Sequence, residues 1–259
     1  MPANWLILAS GGLFSGILAG LLGIGGGTVL VPLLVALGYS PVQAVATSSL
    51  AILITSISGT VQNWRMGYFN AKQVLYLGFP ALATAQIGVY LASRIAPYIL
   101  LAAFGLLLLL NIYLVDLRKR LVAKEPHATQ TRINPLMARL GTGGAAGILA
   151  GLFGVGGGVI MVPLQILLLG EPIKTAIQTS LGVIVLTAIS ASVGHTLAGN
   201  VLATEGLLLG LGGLVGAQIS TRFLPKLPDA IVSLIFRGFL GILSLYIFWQ
   251  AWQSYSSLS

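Results

Sequence analysis

A run of glycines inside a long uncharged apolar segment occurs twice in this chain, in nearly the same words. Residues 16–32 read GILAGLLGIGGGTVLVP and residues 147–163 read GILAGLFGVGGGVIMVP, at a constant offset of 131. Three consecutive glycines weaken a helix, at roughly 1 kcal/mol each relative to alanine. Two copies of such a weak point predict two deliberate helix breaks.

The surroundings of the breaks set the fold class. The first charged side chain is Arg65, and uncharged stretches recur at 73–93, 95–115, 140–170, 175–204 and 206–221. Only 7% of residues are charged, against about 25% in a soluble domain. A helix needs about 20 apolar residues to cross a bilayer. The pattern predicts an all-α polytopic membrane protein, and the short alternating strands of a β-barrel are absent from it. A net charge of +8 reads as topology-setting loops rather than as a nucleic-acid surface. The lack of cysteine excludes disulfides and thiolate chemistry. No basic residue precedes the first apolar run, so no cleavable leader is expected there.

The duplication extends beyond the glycines. With the offset at 132, Thr47-Ser48 matches Thr179-Ser180, Ile57-Ser58 matches Ile189-Ser190, and Gln86-Ile87 matches Gln218-Ile219. Two transmembrane repeats, 1–115 and 140–259, are expected, joined by a basic cytoplasmic linker, 116–139. Four crossings per repeat would make the repeats parallel, with eight loop bases inside and four outside. Five crossings would invert them, with eleven inside and only Arg94 outside. Loop bases favour the cytoplasmic side, so inversion and about five segments each (eight to ten in total) fit better. The fifth crossing would come from residues 23–37. Extended chain covers about 3.3 Å per residue and helix about 1.5 Å, so five extended and ten helical residues together span roughly 31 Å. The second helix would then begin near mid-membrane.

A helix that starts in the hydrocarbon leaves up to four N–H groups free, and such backbone survives only where it is buried or lines a cavity. The positive end of its dipole suits an anion. Candidate substrate-binding groups are therefore the amides of Gly25, Gly26, Gly27, Thr28, Gly156, Gly157, Gly158 and Val159. Thr47, Ser48, Thr179 and Ser180 offer hydroxyls; Gln86 and Gln218 offer amides. The hydroxyls can equally bond their own helix, and the amides can equally join helices. Gly12, Gly16, Gly20 and Gly143, Gly147, Gly151, four residues apart, are read as helix-packing positions. His195 closes its segment and is expected at the membrane interface. No Asp or Glu falls in the middle of an apolar run, which argues against a cation substrate. No phosphate-binding loop, metal-ligand cluster or nucleophile–base spacing occurs, so neither an enzyme nor a bound cofactor is expected.

The GILAGL-x-G-x-GGG element with its proline, the T-S element and the Gly216-Ala217-Gln218 run resemble the TauE/SafE family of sulfite exporter-like permeases, the TSUP group, over almost the whole chain. In the first half the last run reads Thr84-Ala85-Gln86, and the T-S element reads TSSL where the family shows GTSL. The resemblance implies transport of small sulfur oxyanions, such as sulfite, sulfonates or sulfoacetate, across a prokaryotic inner membrane. From the residues alone the expected partners are a small anion and the lipid bilayer, with homo-oligomerisation left open. The expected function is a secondary carrier of a small oxyanion working by alternating access between the repeats; an anion channel and a non-transporting membrane scaffold are the alternatives.

Overall fold

The computed structural model describes residues 5–124 and 134–256, with backbone only for residues 111, 114–124 and 254–255. Ten α-helices lie among them: α1 (Trp5–Leu22), α2 (Gly27–Ala36), α3 (Pro41–Arg65), α4 (Ala71–Ala92), α5 (Pro97–Lys124), α6 (Pro135–Phe153), α7 (Gly158–Leu168), α8 (Ile173–Leu197), α9 (Ala203–Phe223) and α10 (Asp229–Ser256). Seven are long and apolar enough to cross a membrane, and α2, α7 and Pro97–Leu110 of α5 are shorter apolar pieces. The chain is an all-α polytopic membrane protein.

Local chemistry marks the helix starts. Ser40 accepts from the Gln43 backbone N–H while the Gln43 side chain caps Ser40, with Pro41 at the first helical position. Such a box satisfies two donors that the helix leaves free. Asn70 caps α4 and Asn134 caps α6. At the far end of the first repeat, α5 continues to Lys124. Residues 116–124 of the expected linker are therefore helical, since Leu, Lys and Arg favour helix and charge marks the membrane edge rather than the helix end. Residues 135–139 already belong to α6, and 125–133 lie outside the described residues.

Contacts fix the helix directions. Along α1, Gly12 meets Leu209 and Gly16 meets Gly213 of α9; along α6, Gly143 meets Leu77 and Gly147 meets Ala81 of α4. Both pairs run parallel, and a Cβ at any of these glycines would run into a backbone carbonyl. The packing role read for the spaced glycines is what these contacts display. On α3, Leu50, Ile54 and Ser58 meet Gly206, Gly210 and Leu214 of α9 in the same order. The equivalent helices α3 and α8 run antiparallel, with Gly59 against Leu181 and Asn63 against Gln178. So do α5 and α10, through Gly105 on Phe248 and Ile112 beside Gly241.

The halves are interlaced. The first helix of each repeat packs chiefly on the fourth helix of the other, which yields two mixed bundles: α1, α3 and α9, and α4, α6 and α8. They meet along α3 and α8.

Candidate functional site: two facing helix breaks

Both interruptions are present. α1 ends at Leu22 and α2 starts at Gly27; α6 ends at Phe153 and α7 starts at Gly158. Gly26 (φ 83°) and Gly157 (φ 80°) precede the second helices in the left-handed region, where a side chain costs roughly 1–2 kcal/mol. The Ser15 hydroxyl donates to Gly26 O at 2.8 Å, and Leu33 lies against Gly11. The chain thus turns back, and α2 returns beside the first half of α1.

The two breaks face each other. A Cβ on Gly27 would meet Gly154 O and, at 2.6 Å, Val155 Cα; a Cβ on Gly158 would meet Gly23 O and, at 2.9 Å, Ile24 Cα. The hydroxyls that belong to these positions are exchanged between repeats. Ser48 donates to Gly154 O at 2.8 Å, and Ser180 donates to Gly23 O at 2.7 Å. Each also reaches its own helix, at Val45 O and Ile177 O. Between the breaks stand Ile52 and Ile184, again equivalent residues, each touching both Gly25 and Gly156. Ile24, Ile52, Val155 and Ile184 are completely buried. The centre expected to be a polar cavity is closed by branched apolar side chains.

Free donors remain behind that seal. Among the described residues no acceptor meets the N–H of Gly25, Gly26, Gly27 or Thr28. The Thr28 hydroxyl is buried and has no partner either. Buried groups of this kind are rare, and each calls for an explanation. The second copy has Val159 at the Thr28 position, completely buried, and Gly157 has no side-chain cap.

The other candidates divide by position. Thr47 is buried and accepts from Leu202 N at 3.1 Å, while Thr179 is buried within α8. The Gln86 amide donates to Ser190 O and Ser190 Oγ, at 2.6 and 2.8 Å, and Gln218 donates to Ser58 O at 3.0 Å. Ser58 and Ser190 in turn donate to Leu214 O and Leu82 O. These glutamines hold helices together inside each mixed bundle, whereas Ser48 and Ser180 join one bundle to the other. His195, expected at the membrane interface, packs inside the protein near the end of α8. It is 1% exposed, and its Nε2 lies 3.1 Å from Gly151 O. The contact with the close-packed end of α6 draws it inward. Sequence reading missed Ser15, Ile52, Ile184 and Thr187. The same 132-residue offset that pairs Ser48 with Ser180 would have pointed to Ile52 and Ile184.

Residues 8–247 match the family model described as "Sulfite exporter TauE/SafE". The chain belongs to the TauE/SafE family. It is 27% identical to the Bacillus subtilis "Probable membrane transporter protein YunE", covering 95% of this chain and 98% of that one. A "Probable membrane transporter protein" of Xylella fastidiosa is 28% identical, with 95% of each chain covered. The Arabidopsis thaliana "Sulfite exporter TauE/SafE family protein 3" is 34% identical over 94 residues, which are 36% of this chain and 19% of the plant protein. No solved structure matches the chain. The protein is therefore a multi-pass membrane transporter, a class distinct from enzymes.

Proposed function

We propose that this transporter is a secondary carrier of a small oxyanion, of the sulfite, sulfonate or sulfoacetate type, in the prokaryotic inner membrane. The observation that carries the reading is the pair of facing breaks with unbonded amides and the unpartnered Thr28 hydroxyl. Half-helix N-termini aimed at an anion near mid-membrane are a recurring carrier design. The sulfur chemistry rests on the family resemblance and on the names of its relatives.

Access would alternate by separation of the mixed bundles rather than of the sequence halves. The contacts that would have to yield are the Ser48–Gly154 and Ser180–Gly23 hydrogen bonds and the Ile52–Ile184 plug. Withdrawal of the two isoleucines would expose the Gly25–Thr28 and Gly156–Val159 amides to a guest. The freed hydroxyls of Ser48 and Ser180, with Thr47 and Thr179, would then supply further donors. Gln86 and Gln218 would keep each bundle rigid. The two repeats, with equivalent helices antiparallel, would lie inverted in the membrane, and a basic linker would join them on the cytoplasmic side.

Thr28→Val tests the site with little change of shape. Sulfite uptake into proteoliposomes should fall about ten-fold, the scale of one hydrogen bond to a charged group, while thermal stability holds. Unchanged uptake would remove Thr28 from the site. Saturation and counter-flow of labelled sulfite are expected; flux that shows neither would make the protein a channel.

A further inference from the structure

A second polar site opens far from the breaks, at one end of the α4–α6–α8 bundle. A cavity of about 240 Å³ is lined by Asn70, Lys72, Gln73, Tyr76, Arg139 and Glu171. That is room for several water-sized groups. Arg139 lines the cavity as a half-buried side chain, and its Nε has no partner among the described residues. A guanidinium on a cavity wall with an unmatched donor favours an anionic guest. Lys72 adds a second cation on an exposed stem. Gln73 Nε2 donates to Glu171 Oε1 at 2.9 Å on the cavity wall.

The ground beside the cavity is apolar and open. On α4, Leu75 and Phe79 follow Lys72 at helical spacing and are 60% and 78% exposed; on α6, Met137 and Leu140 flank Arg139 and are 63% and 40% exposed. These exposed apolar side chains lie on the same helices as the two cations, within a turn or two of them. The equivalent positions in the other bundle are Thr204 for Lys72 and Leu8 for Arg139. Neither cation has a counterpart at these described positions, and the pair lies at the end that also carries Arg65, Lys174, Arg222 and Lys226.

We propose that this pocket binds the phosphate of an anionic phospholipid, with the acyl chains lying along Leu75, Phe79 and Met137. Basic pockets between membrane helices recognise lipid headgroups in this way. Arg139 and Lys72 hold the phosphate oxygens. The net negative charge of phosphatidylglycerol favours it at two cations over the zwitterionic phosphatidylcholine. The inference is independent of the substrate carried.

Native mass spectrometry of the full chain in detergent, titrated with phosphatidylglycerol, phosphatidylcholine or inorganic phosphate, tests it. The unaltered protein should retain phosphatidylglycerol preferentially. Lys72→Gln with Arg139→Gln should cut retention about ten-fold, as expected for two charge-assisted contacts at a partly wet site, while Arg222→Gln leaves it unchanged. Lys72→Gln alone, at an exposed position, gives a smaller loss in the same direction without risk to the fold. Equal retention by the double variant, or binding of inorganic phosphate with no preference for the lipid, would overturn the assignment. The readout needs no transport, so its failure and that of the carrier reading can be told apart.

Discussion

The two helix breaks follow the same backbone path but are braced by different side chains. At the first, Ser15 of α1 donates to Gly26 O; the equivalent residue at the second is Ala146, which has no hydroxyl. At the second, Thr187 of α8 donates to Gly156 O at 2.9 Å; its equivalent, Thr55, bonds Ala51 O in its own helix instead. Only the first break carries a hydroxyl at its helix start, Thr28 against Val159. Retained in both are the left-handed glycines and the exchanged Ser48 and Ser180 bonds. The features kept twice are those that hold the breaks open and facing; the brace on each carbonyl is interchangeable.

The comparison can be broken most severely at the glycines. Gly157→Ala places a Cβ against the Ala146 backbone carbonyl, whereas at Gly26 the nearest atom is the movable Ser15 hydroxyl. Both variants incur about 1–2 kcal/mol for the left-handed backbone, and Gly157→Ala should lose more. Thermal unfolding in detergent ranks them; a larger loss at Gly26 would contradict the packing described. Next come the exchanged serines. Ser48→Ala and Ser180→Ala should each lose about 1–2 kcal/mol, because a buried carbonyl is left with one donor fewer, and the two losses should be alike. Unequal values would show that the breaks are not energetically equivalent. Thr187→Val should lose about 1 kcal/mol through the bare Gly156 carbonyl. The smallest effect belongs to Thr55→Val, a few tenths, since its hydroxyl bonds a carbonyl within its own helix.

The breaks, the glycine stripes and the all-α apolar character were legible from residues, because backbone cost and hydrophobic length act locally. The fate of the hydroxyls and amides was not. Ser48 and Ser180 are ordinary helix serines until Gly154 and Gly23 of the opposite repeat arrive beside them. Gln86 and Gln218 can bond a guest or a neighbour equally well in principle; Ser190 and Ser58 decide for the neighbour. His195 read as an interface residue because its segment ends there; its burial against Gly151 depends on the approach of α6 and left no trace in the sequence. The buried isoleucines carried no signal of their own, since apolar residues are everywhere in such a chain.

A latch also differs between the two ends. Gln73 of α4 donates to Glu171, and at the equivalent place Tyr39 donates to Glu205 of α9 at 3.4 Å. The carboxylate has changed sides of the pair (39 with 171, 73 with 205) while the bond is retained. Burial, then the Glu205 charge and hydrogen bond, push the Tyr39 hydroxyl above its ordinary range, so it remains a donor throughout the physiological pH range. Tyr39→Phe should therefore loosen this end at every such pH, by no more than about 1 kcal/mol, as unfolding scans at several pH values would show.

The crossed pairing of first and fourth helices has a consequence for synthesis. When α1 leaves the ribosome its glycine seam has no mate, and none exists until α9 has been made. Until then the nascent protein must shelter that seam against lipid, an insertase or another chain. A polypeptide severed between the halves would have to be rebuilt from both pieces at once, since neither fragment contains the surface that its own leading helix requires.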